Sequence, residues 1–164
     1  MYGQDTIQHK DFNYSTSIGA GIGLDYGGLG IRITTEMNNY LSLFGGLGYN
    51  LAGTGVNGGL LFRLFPGYVF RPTISAMYGY NAVFLFEDSN NSKYNRMFFG
   101  PSFGFGFELG LFKYRNYLNC SIIVPFRTKE FDEAYNEFKK NSNVRLIKEA
   151  SPILFSIGIH LFIL

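Results

Sequence analysis

His9, His160 and Cys120 are the only imidazole and thiol groups in a chain of 164 residues. Acyl-transfer chemistry would need a histidine beside a serine and a carboxylate, and a metal site would need several ligands converging on one point. Asp25, Ser102 and Ser156 share one half of the pattern described below, but neither histidine falls there. No catalytic residue, metal ligand set or cofactor is therefore expected. The remaining chemistry is ionic. Glu36, Arg63, Arg71, Glu108 and His160 bring both signs of charge onto one phase of an otherwise apolar alternation. Charges so placed must pair and hydrogen-bond if they are buried.

What positions them is a period-two pattern running from Tyr14 to Ile163. Ile18, Ala20, Ile22 and Leu24 alternate with Ser17, Gly19, Gly21 and Gly23, and the stretch FFGPSFGFGFELGLF (Phe98 to Phe112) sets phenylalanine against glycine. Such alternation reads as strand. Turn signals at Tyr26-Gly27-Gly28, Asn38-Asn39, Gly53-Thr54-Gly55 and Pro66-Gly67 help divide it into eight runs. Charged residues make up 16% of the chain, against about 25% in a soluble domain. All the lysines lie outside the strand cores. A solvated strand face packed with glycine would be weak for no return, whereas glycine inside a narrow barrel makes room for the few large groups that must fit. The large apolar phase is thus expected to face lipid and the small or ionised phase a crowded lumen.

Other classes drop out. A net charge of +2 without a basic stripe argues against nucleic acid. The most apolar run, PILFSIGIHLFIL, is shorter than the roughly 20 residues of a membrane helix. It also carries Ser156, Gly158 and His160 at every second position. The opening MYGQDTIQHK has no basic or apolar leader character and suits the start of a processed chain.

The expected fold is all-β: a transmembrane, antiparallel, eight-stranded up-and-down barrel, closed because hydrocarbon offers unpaired backbone groups no partner. Residues 1–13 form an N-terminal periplasmic segment and 14–164 the barrel domain, with a short helix in the last long loop. An even strand number places both termini at one rim. The links after the second, fourth and sixth strands are short, and those after the fifth and seventh are long. Bacterial outer-membrane barrels keep short turns on the periplasmic side, so both termini are expected to be periplasmic.

From Asn13 to Leu164 the chain resembles the small outer-membrane barrels of the OmpX, OmpA-barrel and opacity-protein type. Their last strand carries an assembly signal, polar-x-Gly-x-x-apolar-x-aromatic. SIGIHLFI supplies Ser156, Gly158 and Leu161 in register but places Ile163 at the aromatic position, and the chain ends in Leu164 rather than Phe.

Within such a barrel Glu36, Arg63, Arg71, Glu108 and His160 are expected near the inner end as an ion-pair plug. Val83, Leu85, Phe98, Ile123 and Leu154 are expected to line the outer half, beside Pro101 and Pro125 on neighbouring strands. Proline cannot donate to a ladder, so this seam would open sideways to a lipid chain or merely hold two bulges. The lipid A palmitoyltransferase barrel is similar in having prolines beside a lateral opening. In TKEFDEAYNEFKK, Phe131, Tyr135 and Phe138 fall on one helical face, suited to resting on the rim or docking a partner. The expected function is a non-enzymatic outer-membrane barrel, structural, adhesive or accessory, acting through loops 88–95 and 127–151. Its partners would be outer-membrane lipid and a protein at the long loop. The alternative is a barrel that binds or modifies an acyl chain in its outer lumen.

Overall fold

The computed structural model describes residues 15–50, 53–88, 93–111, 116–133, 144–148 and 151–163, and at 84–88, 93–95 and 144–148 the backbone alone. Among the described residues nine strands appear: β1 (Ser15–Gly23), β2 (Gly28–Glu36), β3 (Leu41–Asn50), β4 (Gly53–Arg63), β5 (Phe70–Asp88), β6 (Lys93–Leu111), β7 (Asn116–Pro125), β8 (Val144–Lys148) and β9 (Leu154–Phe162). Eight of them, β1 to β7 and β9, form the wall. Each pairs antiparallel with the next, β9 pairs with both β7 and β1, and β4 pairs with β5 to close the ring. The expected eight-stranded up-and-down barrel is therefore present. The ninth, β8, comes from the long loop and adds to the outer part of β5.

The alternation sorts inside from outside. Ile22, Leu29, Tyr49, Val56, Tyr78, Phe105 and Phe155 are exposed, while Arg32, Arg63, Glu108, Asn119 and His160 are buried. Arg63 is 1% exposed and Phe155 74%, the inverse of a water-soluble domain. Such an exterior is at home only in hydrocarbon, and the closed ladder leaves the wall no free edge there.

The wall is uneven in height. β5 and β6 run for 19 residues each, about twice what a tilted crossing needs. The β4–β5 ladder stops at Asn57 opposite Gly79, and a bulge between Tyr80 and Ala82 follows at once. Beyond it β5 and β6 continue as a hairpin, with β8 as a third strand. A helical turn at 129–133 (α1) follows β7, and its Phe131 packs edge-on against Phe98 with ring centroids 5.3 Å apart.

Two alternation expectations are corrected. Leu24, placed on the lipid face, is buried, because Leu24–Tyr26 form a 3-10 turn folded into the barrel. The bulge at Asn81 reverses the parity of β5. Ala82 now pairs with Phe98, both buried, while Val83 pairs with Met97 and so lies on the other face.

The inward turn explains much of the glycine. A Cβ on Gly46 would collide with Asp25 O, one on Gly48 with Tyr26 O, and one on Gly158 with the Tyr26 hydroxyl. Gly27, at φ 71°, lets the chain reverse. Gly45 and Gly58, exposed on the lipid side, would meet nothing closer than 3.6 Å. Gly45→Ala and Gly58→Ala are accordingly expected to leave urea unfolding in lipid vesicles unchanged. Gly158→Ala should lower stability by about 1–3 kcal/mol, the range for overpacking. Equal effects on both faces would contradict this assignment of inside and outside.

Candidate functional site

The lumen holds two ionic clusters joined by a neutral one. At the end bearing the chain termini, register brings Arg71 of β5 directly opposite Glu108 of β6. Arg63 lies one strand further round, opposite Thr73. Arg63 grips Glu108 with two nitrogens, Nε to Oε2 at 2.7 Å and Nη2 to Oε1 at 3.1 Å. Its Nη1 donates to Ser42 Oγ at 2.6 Å and lies 3.4 Å from Glu36 Oε1. Arg71 Nε stands 3.3 Å from Glu108 Oε2. A two-pronged guanidinium–carboxylate contact of this kind is among the stronger polar contacts available.

Higher in the barrel, Asp25 on the inward turn accepts from Arg32 Nη1 and from the Ser156 hydroxyl. Arg32 also reaches Asn119 Oδ1 at 3.3 Å. Its guanidinium lies 5.0 Å from the Tyr26 ring centre and 5.2 Å from that of Phe44, so two aromatic faces share a charge removed from water.

Between the clusters, His160 Nε2 is 2.7 Å from the Tyr26 hydroxyl and Nδ1 is 3.4 Å from Ser17 Oγ. Tyr117 stacks on the imidazole at 4.5 Å with 5° between planes, and Arg71 lies over the Tyr117 ring at 5.3 Å. Three arginines (32, 63, 71) thus face three carboxylates (25, 36, 108), and the paired lumen charges sum to zero.

The expected inner group is therefore brought together in part. Glu36, Arg63, Arg71 and Glu108 form one network; His160 does not join it and sits instead among phenol and serine hydroxyls. Sequence reasoning missed Arg32, Tyr26 and Tyr117. Arg32 and Tyr117 were visible as members of the lumen phase. Nothing local indicated that the residues after Gly23 would turn inward and bring Asp25 to Arg32.

The outer group divides. Phe98 and Ile123 are buried and Leu154 is half-buried. Val83 has changed face, and the Leu85 side chain lies outside the described residues. Ile123 packs with Leu24, Phe44, Leu61 and Met77, with Tyr80 and Leu154 against them. The proline seam is not a break in the wall. Ser102 still pairs with Pro125, and Phe126 N–H donates to Pro101 O at 2.9 Å. Pro101 points outward and Pro125 inward, and the ladder ends there because β7 ends. Of the loop residues, Phe131 is buried against Phe98, with Arg127 over its ring at 4.5 Å. Tyr135 and Phe138 lie outside the described residues, as does the segment 1–13.

Among the described residues no serine, imidazole and carboxylate converge. Ser156 bonds a carboxylate but no imidazole, while His160 bonds Ser17 and a phenol. Among the described residues no three metal-ligating side chains converge.

Closure, an apolar exterior and an ionic lumen together define a class of fold: the closed eight-stranded antiparallel β-barrel whose outer face suits lipid. No protein-family model matches the sequence, and no curated protein does. Among solved structures the chain is similar to the N-terminal β-barrel domain of Pseudomonas aeruginosa OprF. The match has 13% identity and a TM-score of 0.52, over 90% of this chain and 97% of that one. The likeness is one of fold.

Removing the shared carboxylate should expose how the inner network is held. Glu108→Leu leaves Arg63 and Arg71 without their common partner and is expected to cost about 3–5 kcal/mol in urea unfolding from lipid vesicles. Adding Arg63→Met to it should restore most of that loss. A double variant as weak as the single one would count against the pairing.

Proposed function

We propose that this protein is a non-enzymatic barrel of the bacterial outer membrane, both termini periplasmic, serving as a structural, adhesive or accessory subunit through its outer loops. The observation that carries this reading is the lumen. The folded-in turn occupies its outer half and the Arg63–Glu108 network its inner half, each charge held by an opposite one. Such an interior has little room for a conduction path, and its one serine–imidazole contact among the described residues, Ser17 to His160, has a phenol rather than a carboxylate on the other ring nitrogen.

What the barrel offers a partner lies above it. The tall β5–β6 hairpin, β8 and α1 gather on one side of the rim. Outer-membrane lipid surrounds the wall, and a protein partner would engage the loop between β7 and β9. The reading of the outer lumen as an acyl-chain pocket has less support, since Leu24, Phe44, Leu61, Met77 and Ile123 pack on one another there.

Purified protein in planar bilayers is expected to give no sustained conductance steps, and Ser156→Ala should leave the acyl content of outer-membrane lipid unaltered. Stable steps, or a lost modification, would overturn the reading. Deleting residues 130–141 removes the buried Phe131 and should cost roughly the 3–5 kcal/mol of a lost core phenylalanine, yet leave the barrel closed while abolishing co-purification of partners from native membranes. Unchanged co-purification would reject loop docking.

A further inference from the structure

The link between β4 and β5 is chemically out of place. Leu64-Phe65-Pro66-Gly67-Tyr68-Val69, with Phe70 opening β5, contains no charged residue, and its one polar side-chain group is the Tyr68 hydroxyl. A turn at the rim of a barrel normally meets water. Here Phe65, Tyr68, Val69 and Phe70 are 56%, 72%, 67% and 52% exposed. The β2–β3 turn at the same rim behaves as expected: Asn38 Oδ1 accepts from the N–H groups of Tyr40 and Leu41, both at 2.8 Å, and Asn39 is exposed.

We infer that the β4–β5 turn is a lipid-binding anchor, inserted at the boundary between headgroups and acyl chains in the leaflet on the terminus-bearing side. Two observations select lipid as the occupant. The apolar surface of the turn adjoins the lipid-facing band through Phe62 and Ile74 and through Phe70, whose ring lies 5.2 Å from Phe107, while Pro66 and Gly67 border the polar cavity beside Glu36, Arg63 and Arg71. Tyr40 stacks on Phe62 at 6.1 Å and extends the same patch around the rim. On the far side of the barrel the corresponding wall is aliphatic and hydroxylic, with Ile18, Leu161 and Ile163 exposed and Thr16 bonded to Thr35. Among the described residues the aromatic belt at this end is therefore one-sided. Aromatic side chains favour the interface because a ring can lie in apolar surroundings while a hydroxyl meets headgroups.

Depth is limited by the backbone. Leu64 N–H bonds Pro72 O at 2.9 Å, Tyr68 N–H bonds Phe65 O at 3.3 Å, and Val69 O accepts from Gly110 N–H at 2.8 Å. Those bonds do not close a full ladder, so the remaining groups need headgroups or water and the turn must stop short of the hydrocarbon core. One-sided anchoring would tilt the barrel axis toward β4 and β5.

The inference rests on the membrane-barrel reading, and one experiment tests the two separately. The chain has no tryptophan, so a single introduced indole reports its own surroundings. Tyr68→Trp, Val69→Trp, Asn39→Trp and Leu47→Trp are reconstituted in phosphatidylcholine vesicles, and circular dichroism selects the folded variants. Lipid brominated near the carbonyl end of the acyl chain should quench Tyr68→Trp and Val69→Trp at least severalfold more than Asn39→Trp, with acrylamide showing the reverse order. Acrylamide access at 68 and 69 equal to that at 39 would overturn the anchor. Protection that vanishes as protein is diluted in lipid would instead assign the turn to a second copy and reject lipid. Failure of lipid brominated near the methyl end of the acyl chain to quench Leu47→Trp, in the middle of the band, would sink the membrane-barrel reading itself.

Discussion

Backbone pairing is the constraint from which the rest of this structure follows. In hydrocarbon an unpaired N–H or C=O costs several kcal/mol, so the sheet must close, and β4 meeting β5 closes it. Closure fixes an inside and an outside. The pleat then sends alternate residues to each, and a slip of one residue would carry Arg71 and Glu108 out to lipid. The ladder releases only toward the rim away from the chain termini. Above Gly79 and Ser102, β5 and β6 leave their outer neighbours and continue as a separate hairpin.

The same closure makes the interior a space that must be filled. Side chains alone do not fill it on the β1–β4 side, where the lumen phase is rich in glycine. The 3-10 turn after β1 does so, pressed against Gly46, Gly48 and Gly158. The turn also delivers Asp25 to Arg32, so the element that occupies the space neutralises the charge within it. At the other end Glu108, wholly buried, answers both Arg63 and Arg71. Tyr117 and His160 stack between the clusters, giving a continuous column of polar contacts down the barrel. Near the terminus-bearing rim a cavity of about 380 Å³ remains beside Glu36, Arg63 and Arg71, within reach of solvent.

Ionic pairs in such a lumen do more than offset burial. The meeting of Arg63 and Arg71 on Glu108 demands that β4, β5 and β6 hold one register, because the three side chains come from three different strands. An all-apolar filling would be satisfied by several registers. The lumen charges thus favour one alignment of a wall whose exterior, uniformly greasy, distinguishes alignments poorly.

The sequence by itself determined the class of fold, the face most wall residues present, and most members of the inner charge network. Alternation is imposed by the backbone pleat and is therefore written locally, residue by residue, in Ile18 to Ile22 as in Phe98 to Phe112. Tertiary structure alone decided where Tyr26 goes, that Asp25 answers Arg32, that the bulge at Asn81 exchanges the faces of Ala82 and Val83, and that His160 stands apart from the ion pairs. Each of these depends on what fills a space left by residues distant in sequence. Glycine marks such a space but carries no side chain to say what occupies it.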